Sequence, residues 1–183
     1  MRAKVTIPEQ RIGGFTISHL TSDAESWRWQ SYLRSKNEPP GETCTVLTHD
    51  SYPMPMMQDS HAEYKEHLWL WKKAQGKVLI GGLGIGMVNE VLISDTSITK
   101  VTILEKNQEV IDMVWPYCAK DERFELIHAD IHTWTPPEGS HWNVAWFDTY
   151  HAGDEGTHFE YRDEMLERYG SMIDEVGFWG LTW

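Results

Sequence analysis

Apolar and polar positions divide the chain into a first part of short β-type runs and, from residue 77 on, a regular alternation of buried strand and amphipathic helix. Lys77-Val78-Leu79-Ile80 is a short apolar run rich in β-branched residues, the pattern of a buried strand. The glycine cluster Gly81-Gly82-Leu83-Gly84-Ile85-Gly86 follows at once, and Met87 to Ile93 is then apolar at helical spacing. Val101-Thr102-Ile103-Leu104-Glu105 predicts a second strand, and Asn107 the cap of a helix carrying Val110, Ile111, Met113 and Val114. Phe124 to His128, Trp142 to Asp148 and Val176 to Trp183 predict three more strands, with a helix over 157–170 before the last. Strands alternating with helices predict a parallel sheet, and right-handed crossovers give it the order 3-2-1-4-5. A ligand crevice is then expected at the carboxyl ends of the first and fourth strands.

The first part predicts strands over Lys4 to Ile7, Gly14 to Ile17 and Thr43 to Thr48, broken by Pro8 and Gly13-Gly14. Ser22-Asp23-Ala24-Glu25 reads as a capping box opening a helix through Trp27, Trp29, Tyr32 and Leu33. The prolines of Tyr52 to Met57 mark an extended edge segment. Ser60-His61-Ala62-Glu63 is a second capping box, with Tyr64, Leu68 and Trp71 expected on one helix face. The expected division is a small β/α extension over 1–59 and a Rossmann-like α/β domain over 60–183. The chain stops at the fifth strand, whose apolar edge should be covered by the N-terminal segment or by a second subunit in a homo-oligomer.

Composition narrows the partners. The formal net charge is −12 over 183 residues, a field that repels phosphate backbones, so nucleic acid is not expected and a neutral or cationic small molecule is. No apolar run is long enough to span a bilayer, and there is no signal-peptide core, so no membrane partner and a cytoplasmic setting are expected. Cys44 and Cys118 are too few for a disulfide framework. His128 and His132, at a strand-to-loop junction, do not share a helix face, and no other His or Cys spacing marks a metal site, so no metal is expected.

Strand, glycine turn and helix form the layout that seats a nucleotide over a helix N-terminus, the glycines letting the backbone approach the ligand. Gly81, Gly82, Gly84 and Gly86 are the candidates here. Glu105 ends the second strand about 20 residues later, the spacing at which a carboxylate bonds ribose hydroxyls. Lys106 beside it belongs to the same candidate set. Asp130 ends the third strand, where its carboxylate and the Ile131 N–H can meet an adenine; a cap role for Asp130 is compatible with this. Asp148 ends the fourth strand, where a carboxylate can hold a nucleophile or take its proton, and Tyr150 can orient a substrate or stack on a cation. His151 is a further base candidate.

The spacing Gly82-x-Gly84-x-Gly86 resembles the first motif of class I S-adenosylmethionine (SAM)-dependent enzymes, whereas Met87 stands where a dinucleotide fingerprint has its third glycine. Within that fold, residues 52–160 are most similar to the spermidine synthase-type aminopropyltransferases. The resemblance rests on Gln58, Tyr64-Lys65-Glu66-His67, Gly81-Gly82-Leu83-Gly84, Glu105, Asp130 and Asp148-Thr149-Tyr150. It implies a class I methyltransferase fold, truncated after the fifth strand. It also implies SAM or decarboxylated SAM as cosubstrate, ligand contacts at Gln58, Glu105 and Asp130, and a catalytic role for Asp148. Lys65 stands where that family has His, and Leu83 and Ile85 where its turn has Gly and Asp. The nucleoside contacts therefore carry over well and the amine contacts poorly. Methyl transfer to a small acceptor is the leading expectation. Aminopropyl transfer is its rival, supported by Asp59, Asp148, Asp154 and Glu155. A protein that binds or degrades SAM is the third reading.

Overall fold

A computed structural model describes residues 3–21, 41–150 and 157–181. The helix expected over Trp27 to Leu33 and the residues His151, Asp154 and Glu155 lie outside them. The described residues form two sheets. The first is antiparallel, in the order β1 (Gln10–Ile12), β2 (Phe15–Thr21), β3 (Thr43–His49), β4 (Met57–Gln58). The second is parallel and contains β5 (Gly76–Gly81), β6 (Ile98–Glu105), β7 (Phe124–His128), β8 (Trp142–Phe147) and β9 (Ile173–Phe178). Its order, β7-β6-β5-β8-β9, is the one the alternating pattern predicts. The order reverses between β5 and β8, so the loops at their carboxyl ends part and leave a crevice.

Both faces of the parallel sheet are covered, which is why its strands read as continuous apolar runs. Val78, Ile80, Val101, Ile103, Val144 and Trp146 point to one face and share a core with Ile7, Phe15, Ile17 and Leu47 of the N-terminal part. Leu79, Leu104, Ala145 and Phe147 point to the other, against Tyr161, Met165 and Tyr169 of α5 (His158–Tyr169). Thr157 caps α5 with a complete capping box: its hydroxyl accepts from Glu160 N, and the Glu160 carboxylate accepts from Thr157 N.

Several local expectations are corrected. Lys4 to Ile7 is not a strand; it runs alongside β3, with Val5 N donating to Asp59 Oδ2 at 3.2 Å. Asp59 is buried, and its other oxygen accepts from Thr45 N at 2.9 Å and lies 3.6 Å from Lys4 Nζ, so it staples two backbone segments. The helix after Ser60 is two short ones, α1 (His61–Glu66) and α2 (Leu68–Lys73), with His67 at the junction. Leu68 faces outward, and Leu70 is the buried residue of that helix. Asn107 sits at the N-cap of α4 (Gln108–Val114), but its side chain donates to Glu105 instead of capping. The fifth strand begins at Ile173 and ends at Phe178, before the apolar Trp179 to Leu181 that suggested a later start.

The N-terminal strands do not cover the free edge. β1 and β2 pack on α4, with Gln10 Nε2 donating to the Met113 carbonyl at 3.1 Å, and among the described residues β9 pairs with β8 alone. Helix α2 reaches β9 through Lys73 and Glu175 at 2.6 Å. Among the described residues no helix is long and apolar enough to cross a membrane.

Candidate functional site

The glycine turn is shaped by close approach to its neighbours. Gly82 has φ +97°, and a Cβ there would lie 2.8 Å from the Asp148 carbonyl oxygen, so any side chain would push β5 and β8 apart. At Gly84 a Cβ would run into Met57 Sδ, and at Gly86 into Cys118 Sγ. Gly82 and Gly84 line a cavity of about 470 Å³; Gly81 and Gly86 do not, and serve packing. Gly86 opens the short helix α3 (Met87–Leu92) in a left-handed conformation.

The cavity lies at the carboxyl ends of the strands and brings together most of the predicted residues: Gln58, Glu105, Lys106, Asp130, Ile131, Asp148 and Tyr150 all line it. On the β6–β7 side, Glu105 is buried at the end of β6. One of its oxygens accepts from Leu83 N at 3.1 Å and the other from Asn107 N and Nδ2 at 2.9 Å each. Three of its roughly four acceptor sites are thus filled, one by the glycine turn and two by Asn107. Asp130 Oδ1 accepts from His132 N at 2.9 Å, and the Asp130 carbonyl accepts from Thr133 and Trp134. Its turn-capping role therefore leaves Oδ2 for a ligand. Ile131 is a buried wall residue, fixed by its carbonyl accepting from Tyr169 OH. Gln58 is 4% exposed, and its Oε1 has no hydrogen-bond partner among the described residues, an orphaned acceptor of a kind that native interiors rarely leave without a ligand or water.

On the β8 side the structure reveals a group that the sequence pattern did not single out. His67, fully buried, points its Nε2 at Asp148 Oδ2, 3.2 Å away, without the alignment of a hydrogen bond. Its Nδ1 donates to the Glu63 carbonyl at 2.9 Å. Glu63 lies one turn earlier on α1, and its Oε1 accepts from Trp179 Nε1 at 2.7 Å. Burial pushes the Glu63 carboxyl up to about 7, against the pull of His67 and with the help of Asp148. Burial alone would lower the His67 imidazole; the Asp148 and Glu63 carboxylates outweigh it and raise its pKa. Among the described residues neither carboxylate pairs with a Lys or Arg. The Tyr150 ring lies tilted against that of His158, with centroids 4.1 Å apart, and Thr149 Oγ1 lies 2.6 Å from Tyr161 OH. The two histidines considered from spacing serve elsewhere: His128 Nε2 donates to the Lys106 carbonyl, and His132 pairs with Glu164 at 2.9 Å.

No protein-family model matches the sequence, and no curated protein matches it. Solved structures do match in fold. The N-methyltransferase NodS from Bradyrhizobium japonicum, in complex with S-adenosyl-L-homocysteine, superposes with a TM-score of 0.50 at 11% identity, over 66% of this chain and 62% of that one. A spermidine synthase in complex with the transition-state analogue AdoDATO superposes with the same TM-score at 19% identity, over 70% of this chain and 47% of that one. A dimethyladenosine transferase from Plasmodium falciparum matches at 14% identity and a TM-score of 0.44, over 61% of this chain and 37% of that one. The chain thus spans about half the length of several of the structures it matches. At these identities the likeness is one of fold: a Rossmann-like sheet of the class I SAM-dependent methyltransferase type, shared by methyltransferases and spermidine synthases.

Proposed function

We propose that the chain is a SAM-dependent transferase that holds the adenosyl cosubstrate in the notch between β5 and β8 and passes a methyl group to a small acceptor beside Asp148 and Tyr150. The observation that carries this reading is the convergence of the Gly82–Gly84 turn, the Glu105 carboxylate and Asp130 on one cavity where the strand order reverses. Its volume of about 470 Å³ is within the range that ligand pockets occupy. The neighbours solved with S-adenosyl-L-homocysteine and with AdoDATO support the choice of ligand. When bound, SAM supplies a methyl group activated by the adjacent sulfonium.

The residues divide the work. Glu105 uses its remaining acceptor site for a ribose hydroxyl, held in position by its bonds to Leu83 N and to Asn107. Asp130 Oδ2 accepts from the adenine amine, with Ile131 as the apolar wall under the base. Lys106 borders the ribose end. Gln58 Oε1 meets a donor of the ligand and so loses its orphan status. Asp148 and Tyr150 orient the acceptor. The chain contributes positioning and exclusion of water rather than covalent chemistry.

Identifying the nucleoside released tests the reaction. The protein is incubated with SAM, and separately with decarboxylated SAM plus putrescine. S-adenosylhomocysteine in the presence of an acceptor supports methyl transfer. Methylthioadenosine appearing only with the diamine means aminopropyl transfer, and methylthioadenosine from SAM alone means breakdown.

A further inference from the structure

We infer that Glu63, His67 and Asp148 form a binding site for a first-row divalent cation, Zn²⁺ foremost, in the wall of the cavity. Each of the three can bring one ligand atom to within 4.8 Å of the other two. The His67 Nε2 to Asp148 Oδ2 separation of 3.2 Å is close to the edge of a tetrahedron with zinc–ligand bonds of about 2 Å.

The imidazole is arranged as a metal ligand is. Its Nδ1 is committed to the Glu63 carbonyl and lies 3.7 Å from Glu63 Oε1, while Nε2 points at the Asp148 carboxylate. That Nε2 is fully buried and, among the described residues, has no hydrogen-bond partner. When Nε2 is unprotonated its lone pair faces the Asp148 carboxylate in a buried setting, a repulsion that a cation between them relieves as a proton on Nε2 does. Glu63 is in turn oriented by Trp179 Nε1, the outer-shell support that ligating carboxylates usually carry.

The donor set of one imidazole and two carboxylates favours Zn²⁺ or Mn²⁺ over Mg²⁺, which prefers oxygen alone. Three protein ligands leave a fourth position open toward the cavity, since Glu63 and Asp148 both line it. Cation binding is independent of the nucleoside reading. The use made of it deepens that reading: Asp148 would then hold an oxygen-bearing acceptor through the cation.

The test is equilibrium dialysis of the full chain, freed of metal by chelator, against Zn²⁺ alone with no nucleoside present. One tight equivalent is expected, with Mg²⁺ failing to compete. Glu63→Gln and Asp148→Asn should each weaken it at least tenfold, as should His67→Gln. His141→Ala, which alters an exposed His–Asp pair, should leave it unchanged. Thermal melts check the fold of each variant. If His67→Gln does not fold, the two carboxylate variants at the cavity wall decide. No bound equivalent, or an equivalent that survives those variants, overturns the inference. Because S-adenosylhomocysteine affinity is measured separately, loss of the cation site leaves the nucleoside reading standing.

Discussion

Replacing Gly82 by Ala puts the geometry of the notch to a quantitative test. Two costs arise. The first is backbone strain, because φ +97° is a region that L-residues rarely adopt, at about 1–3 kcal/mol. The second is overpacking of the new methyl against the Asp148 carbonyl oxygen at 2.8 Å, a backbone atom that cannot swing away, at about 1–3 kcal/mol. Together they predict a loss of about 2–6 kcal/mol, a large part of the roughly 5–15 kcal/mol that holds a domain folded. Gly139 supplies the control. It also has a positive φ, +78°, but nothing lies within 4 Å of a Cβ there, so Gly139→Ala carries strain alone. Urea unfolding of wild type and both variants gives the two costs separately, with the difference between variants measuring the clash. The Gly82 variant should also weaken S-adenosylhomocysteine binding by displacing Asp148 and the turn, whereas the Gly139 variant should not. A Gly82→Ala protein as stable as Gly139→Ala, with an unchanged m-value, would refute the close approach of β5 and β8.

Four further outcomes are expected. Asp59→Ala should destabilise by about 2–4 kcal/mol in urea unfolding, because it strands the buried Thr45 and Val5 N–H groups. Glu105→Gln turns one acceptor into a donor facing an N–H, and should weaken S-adenosylhomocysteine by tenfold or more in calorimetry while lowering the urea midpoint. Burial pushes the Cys118 thiol up to about 12, so iodoacetamide at pH 8 should label it only after denaturation. Glu63 is raised from 4.5 to about 7, so the folded state keeps a proton that the unfolded state releases in that window. Its contribution is complete below 4.5 and lost as pH rises through 7, and His67, raised above 6.5, extends the same trend. With chelator present, the urea midpoint should fall between pH 5 and pH 8, and Glu63→Gln should flatten the fall.

The parallel sheet was legible because its strands are covered on both faces. Val78, Leu79 and Ile80 are all buried, so the run announces itself without knowledge of its neighbours. The end-of-strand acids followed from the same pattern, since Glu105, Asp130 and Asp148 come directly after apolar runs. Edges were harder to read. β9 follows Ile173 with two consecutive acids, Asp174 and Glu175, and the more apolar residues from Val176 on drew the expected strand past its true end. Lys4 to Ile7 alternates as a strand does, yet its backbone bonds to a side chain, Asp59. His67 had no signal of its own. Its partner Asp148 is 81 residues away, and only the packing of α1 and α2 against the end of β8 brings the two together. Asn107 shows the same limit: its place in the sequence is that of a cap, and the nearby Glu105 takes its side chain instead.

Calorimetric titration of S-adenosylhomocysteine into the wild-type chain, and into Glu105→Gln and Asp130→Ala variants whose melts confirm folding, tests the nucleoside notch most directly. The expected result is one site in the wild type, weakened at least tenfold by either change. Absence of binding to the folded wild type, or equal affinity in all three proteins, would contradict it.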